Sequence, residues 1–172
     1  MTKGYIQVYT GNGKGKTTAA FGLALRAVGA GKKVFFAQFV KGKVYSEVKA
    51  VLNYLPAISI KQFGLECFIR RNPTQADIDM ARKGFEEVSG IILSGMYDVV
   101  ILDEANIALY YNLFSEEELI QLLKKKPLKT EIIITGRYAP QEIIEIADLV
   151  TEMKEIKHYY TKGIEARVGI EF

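Results

Sequence analysis

The sequence predicts an α/β domain in three layers, a mostly parallel β-sheet with helices on both faces. The first signal is a glycine-rich turn, Thr10-Gly11-Asn12-Gly13-Lys14-Gly15-Lys16-Thr17-Thr18, set between the apolar run Tyr5–Tyr9 and a helical pattern that opens with Ala19-Ala20-Phe21. The second is a set of short, nearly continuous apolar runs, such as Val34–Val40 and Asp98–Leu102, of the kind found in strands covered on both faces. These runs alternate with stretches whose apolar residues recur every three or four positions. Strand, helix, strand in that order demands a right-handed crossover and parallel pairing.

In chain order, Tyr5–Tyr9 is the first strand, and the first helix spans roughly residues 16–30. Its spacing sets Ala20, Phe21, Ala24, Leu25 and Val28 toward the sheet; Gly29-Ala30-Gly31 ends it, with Lys32-Lys33 at its negative end. Val34–Val40 is a buried strand. A polar loop, Lys41 to Tyr45, leads to a weak helix, Ser46 to Tyr54, that stops before Pro56, and Ala57–Phe63 alternates as a half-buried strand. Gly64 through Asn72 has neither period, and two readings of it stand side by side: a loop pinned to the core by Phe68, or a flap that contacts a ligand.

Pro73-Thr74 opens the clearest helix, with Thr74 and Asp77 as a capping box and Ile78, Ala81, Phe85, Val88 and Ile92 on one face, running to about Ser94. The strand Asp98–Leu102 follows and ends in two carboxylates, Asp103-Glu104. Asn106 to Phe114 is a short aromatic connection. Ser115 and Glu118 form a second capping box on a helix through Leu119, Ile120, Leu122 and Leu123, whose end at Lys124-Lys125-Lys126 reads as solvated and complementary to the helix dipole. Glu131–Thr135 is a further buried strand with Gly136-Arg137 at its carboxyl end. Pro140 starts a short helix, Leu149–Met153 reads as the last central strand, and Lys154 to Phe172 holds two weak β-like stretches around Gly163.

A chain of 172 residues with a hydrophobic fraction of 49% fits a single domain, 1–172, with a sizeable core. Twenty-three basic residues against 20 acidic give a net charge of +3, too mild to indicate nucleic acid and compatible with a small anionic ligand. The lone Cys67 excludes an internal disulfide and a cysteine metal cluster, as expected in a reducing compartment. No run reaches membrane-spanning length, and Met1-Thr2-Lys3-Gly4 leads straight into the first strand without a signal peptide, so the expectation is a soluble, cytoplasmic protein with no membrane partner.

The glycine-rich turn is the chemical centre. Three glycines in five positions let backbone N–H groups approach an anion, and the helix starting near Lys16 aims its positive end at the same point. Lys16 adds a full charge and Thr17 a hydroxyl able to ligate magnesium. The loop is one residue shorter than the usual pattern, because Thr10 stands where the first glycine belongs. The plainer alternative is a strand-to-helix turn with a surface lysine. Asp103-Glu104 is the second signal: at the end of a parallel strand, carboxylates face such a loop and hold its metal, although alone they could simply start a helix. Arg137, on the same edge, suits phosphate or ribose, with an ordinary surface arginine as the other reading.

On these residues the chain resembles the phosphate-loop cob(I)alamin, or corrinoid, adenosyltransferases. The resemblance covers most of the chain: Tyr9 through Gly22, Gln38-Phe39-Val40-Lys41-Gly42, Leu102-Asp103-Glu104, Ile134-Thr135-Gly136-Arg137, Ala147 through Met153, Lys157-His158 and Gly169-Ile170-Glu171. The short loop belongs to that family's pattern. The resemblance implies a RecA-like fold of the P-loop NTPase type, often a homodimer, that moves the 5′-deoxyadenosyl group of ATP to the cobalt of a reduced corrinoid and releases triphosphate. Cob(I)alamin, cobinamide and cob(I)yrinic acid a,c-diamide are the corrinoids in view, with Mg2+ as cofactor and an electron-donor reductase as a further partner. By motif position it implies ATP binding by Gly11, Asn12, Gly13, Lys14, Gly15, Lys16, Thr17, Thr18, Arg26 and Arg137. Lys16, Thr17 and Glu104 would carry catalysis; Thr17, Asp103 and Glu104 would hold the metal, with ribose as the other ligand in view for Glu104 and Asp103, and Phe68 and His158 would face the corrinoid. For His158 a structural hydrogen-bonding role stands as the alternative.

The resemblance also explains an absence, since no nucleophile–base–orienter set can be built around the single histidine. The resemblance implies that Co(I) would itself be the nucleophile and attack the 5′ carbon of an ATP that the family binds in the reverse sense to ordinary phosphate-loop enzymes. Two departures stand out. Where the family commonly has Phe-Thr-Trp facing the corrinoid, this chain has Cys67-Phe68-Ile69-Arg70 and no tryptophan; it also lacks the longer N-terminal extension of some members. Two other functions compete: a RecA-like NTPase or small-molecule kinase, and a non-enzymatic corrinoid- or nucleotide-binding module.

Overall fold

A computed structural model describes residues 2–65 and 72–172, so Cys67, Phe68 and Arg70 lie outside the described residues. The elements run β1 (Ile6–Thr10), α1 (Lys16–Gly29), β2 (Val34–Phe39), α2 (Ser46–Tyr54), β3 (Ile58–Phe63), α3 (Gln75–Ser94), β4 (Val99–Asp103), α4 (Ala105–Tyr110), α5 (Glu116–Lys124), β5 (Glu131–Thr135), α6 (Gln141–Ile146) and β6 (Leu149–Glu152). The six strands form one sheet in the order β3-β2-β4-β5-β1-β6. Every pairing is parallel, where the sequence promised only a mostly parallel sheet.

The three layers follow from the two-residue period of the strands. Val34 and Phe36 of β2, with Ile58, Val99, Ile101 and Ile133, face α1 and α2, where Ala20, Ala24, Ala27 and Val51 cover them. Phe35, Ala37 and Phe39, with Val8, Val100, Leu102, Ile132 and Ile134, face the other way, under Ala81, Val88 and Ile92 of α3, Ala105 and Ala108 of α4, Leu119 and Leu123 of α5 and Ile143 of α6. Because both faces are covered there, the central strands β2, β4 and β5 are almost wholly apolar instead of alternating. Phe36 stacks on Phe21 with ring centroids 3.9 Å apart, a pair worth about 0.5–1.5 kcal/mol beyond its buried area. Both capping boxes form, Thr74 with Asp77 and Ser115 with Glu118.

Several sequence expectations are corrected. Leu25 is 55% exposed; the buried stripe of α1 is Ala20, Ala24 and Ala27, one step round the helix, because small side chains let α1 lie close to the sheet. Residues 105–110 form a helix, α4, where a connection was expected. Strand β6 is an edge strand, paired with β1 alone and exposed along its length. The tail forms a 3-10 turn, Tyr159–Lys162, in place of β-like stretches. Lys126 is not merely solvated: its Nζ donates to the carbonyls of Gly4 at 2.7 Å and Thr130 at 3.0 Å, tying the end of α5 to the start of β1.

Parallel strands all point the same way, so the turn after β1, Lys41 after β2, Asp103-Glu104 after β4 and Gly136-Arg137 after β5 gather at one carboxyl edge. Open α/β sheets bind their ligands along this edge.

Candidate functional site

The turn between β1 and α1 is clamped to the chain leaving β6. The Gly13 N–H donates to the Met153 carbonyl at 2.6 Å, and the Met153 N–H donates to the Thr10 carbonyl at 2.8 Å. A Cβ on Gly13 would stand 2.7 Å from the Met153 oxygen, so only glycine allows this approach. Helix α1 begins after Gly15, at φ 116°, without a side-chain cap, which leaves first-turn N–H donors for an anion.

Lys16 bridges the cradle. Its Nζ donates to the carbonyls of Gly11 at 2.7 Å and Gly13 at 2.8 Å, and the residue is 7% exposed. Burial depresses the pKa of the ammonium; the Glu104 charge opposes that shift and Arg137 adds to it. A charge held in this way gains from any polyanion entering the loop.

Asp103, at the end of β4, is wholly buried and accepts four hydrogen bonds. Its Oδ1 accepts from the Thr17 hydroxyl at 2.9 Å and the Thr135 hydroxyl at 2.7 Å; its Oδ2 accepts from Lys41 Nζ at 2.9 Å and Gln38 Nε2 at 3.2 Å. Burial alone would raise its pKa, but the Lys41 ammonium and the donated hydrogen bonds outweigh it and hold the carboxyl below the usual aspartate range. Glu104 sits beside it in the left-handed region, φ 58°, as the N-cap position of α4, with its N–H donating to Thr135 Oγ1 at 3.0 Å. Burial raises the Glu104 carboxyl; Lys41 opposes this and Asp103 reinforces it. Thus Asp103-Glu104 both starts a helix and faces the loop.

The strand order refines the sequence picture, because β4 is not next to β1. Strand β5 lies between them and fills the gap with Thr135, which joins Asp103 to the Glu104 backbone. Sequence reasoning assigned no role to Thr135, Gln38 or Lys41. A signal existed for Gln38, the one polar residue in the apolar run Val34–Val40. Its amide also accepts from Gln62 Nε2 at 3.1 Å, which extends the network to β3.

Of the expected site residues, Gly11, Gly13, Gly15, Lys16, Thr17, Asp103 and Glu104 are brought together. Arg137 is exposed just past β5, near enough for its charge to act on Lys16 and Glu104. Asn12 and Thr18 lie exposed on the rim of the loop. The Lys14 side chain turns away to the tail, donating to Ile170 O at 2.9 Å, Glu171 Oε1 at 2.8 Å and Tyr159 Oη at 3.1 Å. Arg26 is not brought there: it is exposed in the last turn of α1, about 15 Å along the helix from Lys16 at 1.5 Å per residue. His158 caps the 3-10 turn, its Nδ1 accepting from the Tyr160 N–H at 3.1 Å. Phe68 lies outside the described residues.

Among the described residues no group of three or more His, Cys, Asp or Glu side chains could hold a metal. The donor set at hand is the Thr17 hydroxyl with the Asp103 and Glu104 carboxylates, all hard oxygens. That set fits a magnesium ion, which takes one or two carboxylates and completes its shell with phosphate oxygens and water.

A family model described as ATP:corrinoid adenosyltransferase BtuR/CobO/CobP matches residues 2–172. The chain is 38% identical over 180 residues to the corrinoid adenosyltransferase of Sinorhizobium sp, covering 99% of this chain and 81% of that one. It is 36% identical over 171 residues to the corrinoid adenosyltransferase of Escherichia coli K12, at 99% and 86% coverage. With the corrinoid adenosyltransferase CobA of Salmonella typhimurium it shares 34% over 170 residues, again at 99% and 86%. Among solved structures, the flagellar accessory protein FlaH from Methanocaldococcus jannaschii superposes with a TM-score of 0.62 at 13% identity, covering 88% of this chain and 72% of that chain, a likeness of fold alone.

Proposed function

The chain belongs to the ATP:corrinoid adenosyltransferase family, and from that premise we propose how its residues carry the transfer of the 5′-deoxyadenosyl group from ATP to a reduced corrinoid. The observation that supports the residue assignment is a single constellation: Lys16 spans a glycine cradle whose next residue, Thr17, is hydrogen-bonded to the buried Asp103.

The electron pair on Co(I) forms the cobalt–carbon bond at the 5′ carbon, and the carbon–oxygen bond to the triphosphate breaks with its pair leaving on oxygen. No proton moves, which is why the site needs no general base. The chain's work is to hold the leaving group and stabilise the charge that gathers on it. Lys16, the loop N–H groups other than that of Gly13, which is held by Met153, and Arg137 supply that charge stabilisation; one such donor is worth roughly 10²–10³ in rate. Thr17, Asp103 and Glu104 would hold magnesium, which when bound supplies further neutralisation of the triphosphate. Asp103 fixes the Thr17 hydroxyl, and Thr135 fixes Asp103 in turn.

The corrinoid side is proposed from the resemblance, with Phe68 and His158 as the facing residues. On the same ground we place the protein in the cytoplasm, as a homodimer supplied with Co(I) by an electron-donor reductase, and take residues 1–172 as one ATP-binding adenosyltransferase domain. Among the described residues no helix is long and apolar enough to cross a membrane. The experiment is a product assay: chemically reduced cobalamin with Mg-ATP is expected to give adenosylcobalamin and free triphosphate. ADP and orthophosphate in their place would turn the reading toward an NTPase or kinase, and tight corrinoid binding without a cobalt–carbon bond toward a binding module.

A further inference from the structure

We propose that Lys41 is a tethered cation that occupies the metal position of the nucleotide-free protein and gives it up when magnesium arrives with ATP. This rests on the magnesium reading above and deepens it. Lys41 Nζ stands 2.9 Å from Asp103 Oδ2, 3.0 Å from Thr17 Oγ1 and 3.7 Å from Glu104 Oε1. These three groups are the ones assigned to the metal, and the ammonium sits among all of them at once.

The placement is built into the chain. The Lys41 side chain is 9% exposed, so it is no surface lysine that has swung inward. The residue before it, Val40, has φ 52°, a left-handed conformation that is unfavourable for a β-branched side chain and persists only where the surroundings impose it. Those surroundings are on hand: the Val40 N–H donates to the Phe63 carbonyl at 3.3 Å, and Gly42 lies flat on the backbone of Gly64 and Leu65. The turn after β2 therefore spends strain to aim Lys41 back across the end of β4.

A magnesium ion binds oxygens at about 2.0–2.1 Å and demands regular geometry. It cannot share these same oxygens with an ammonium hydrogen-bonded about 3 Å away, because the two cations would lie almost in contact. One replaces the other. Without nucleotide, Lys41 keeps the buried Asp103 paired, and the metal must compete with a cation that has no translational entropy to lose. With ATP, the triphosphate brings the negative charge that receives the displaced ammonium, while Thr135 and Gln38 continue to hold the Asp103 carboxylate in place. Metal binding is thus made conditional on nucleotide.

The test uses the full chain and Mn2+ as a magnetic stand-in for magnesium, with free Mn2+ read by electron paramagnetic resonance. Nucleotide-free wild type is expected to bind Mn2+ at least tenfold more weakly than Lys41→Met, and the gap to narrow when ATP is present. Thermal melts give a second readout: Lys41→Met melts lower than wild type without metal and is restored by Mn2+, whereas wild type responds little to Mn2+ alone. If Lys41→Met does not fold, Lys41→Gln keeps a donor for Asp103 without the charge and serves in both measurements. Equal Mn2+ affinity in wild type and variant, or a destabilised variant that Mn2+ does not rescue, overturns the proposal and leaves the magnesium reading standing. No Mn2+ bound by any form, even with ATP, overturns both.

Discussion

Replacing Gly13 with alanine puts a methyl group where the loop touches another stretch of backbone. The new Cβ would lie 2.7 Å from the Met153 oxygen, 2.9 Å from its carbonyl carbon and 3.0 Å from that of Lys154. Ordinary van der Waals contact begins at 3.4 Å, so the loop must retreat by the difference between 3.4 and 2.7 Å, about 0.7 Å. All three atoms are main chain, and no side chain can swing aside to absorb the clash. The retreat stretches the 2.6 Å bond from the Gly13 N–H to Met153 and displaces the Gly13 carbonyl that Lys16 grips at 2.8 Å. Overpacking of this kind costs about 1–3 kcal/mol. A misplacement near 1 Å at a positioning site costs about 10²-fold in rate, so turnover is expected to fall by roughly 10–100-fold. The assay is the initial rate of cobalt–carbon bond formation from reduced cobalamin and Mg-ATP, with urea denaturation of the same samples. Gly22→Ala is the control: Gly22 is exposed on α1 with nothing within 4 Å of a new Cβ, and the change is expected to stabilise the helix by about 0.5–1 kcal/mol at unchanged rate. A Gly13→Ala protein within twofold of wild type in rate and unchanged in stability would refute the clamp.

Lys16→Ala removes the charge over the cradle and is expected to abolish turnover while circular dichroism stays native; retained activity would take the loop out of the mechanism. Asp103→Ala leaves the Lys41 ammonium without its buried partner, and urea denaturation is expected to show a loss of about 3–5 kcal/mol. The pH dependence has a definite sign: the folded Asp103 carboxyl titrates below its ordinary value, so its contribution is complete above the unfolded pKa of about 3.9 and disappears as pH falls through the lower folded value. Thr135→Val deletes one donor to Asp103, which raises the folded pKa, and acid unfolding followed by circular dichroism is expected to begin at a higher pH than in wild type.

Much of the molecule was legible because its determinants are local. The turn from Thr10 to Thr18 carries its strand, its glycines and its helix within one contiguous stretch, and each capping box needs two residues three apart. Strands covered on both faces announce themselves by being apolar throughout. Errors arose where a feature depends on a neighbour. Leu25 reads as inward-facing beside Ala24 and Val28 until the way α1 lies on the sheet leaves it exposed while Val28 packs on the core. Leu149-Val150 reads as central because a strand's sequence does not say how many strands flank it, and β6 has β1 on one side only. Lys126 looks like a free surface charge and Lys14 like a phosphate ligand, yet each finds a carbonyl acceptor more than 120 residues away.

The same division runs through the site. The sequence by itself determined a short glycine cradle with Lys16 and Thr17, a pair of carboxylates at a strand end and a family resemblance, because those signals are consecutive residues whose chemistry is carried by type and spacing. The tertiary structure alone decided that β5 slips between β1 and β4, that Thr135 and Gln38 hold Asp103, and that Lys41 places its charge among Thr17, Asp103 and Glu104. These contacts join four separate stretches of chain that meet only because parallel strands deliver their carboxyl ends to one edge.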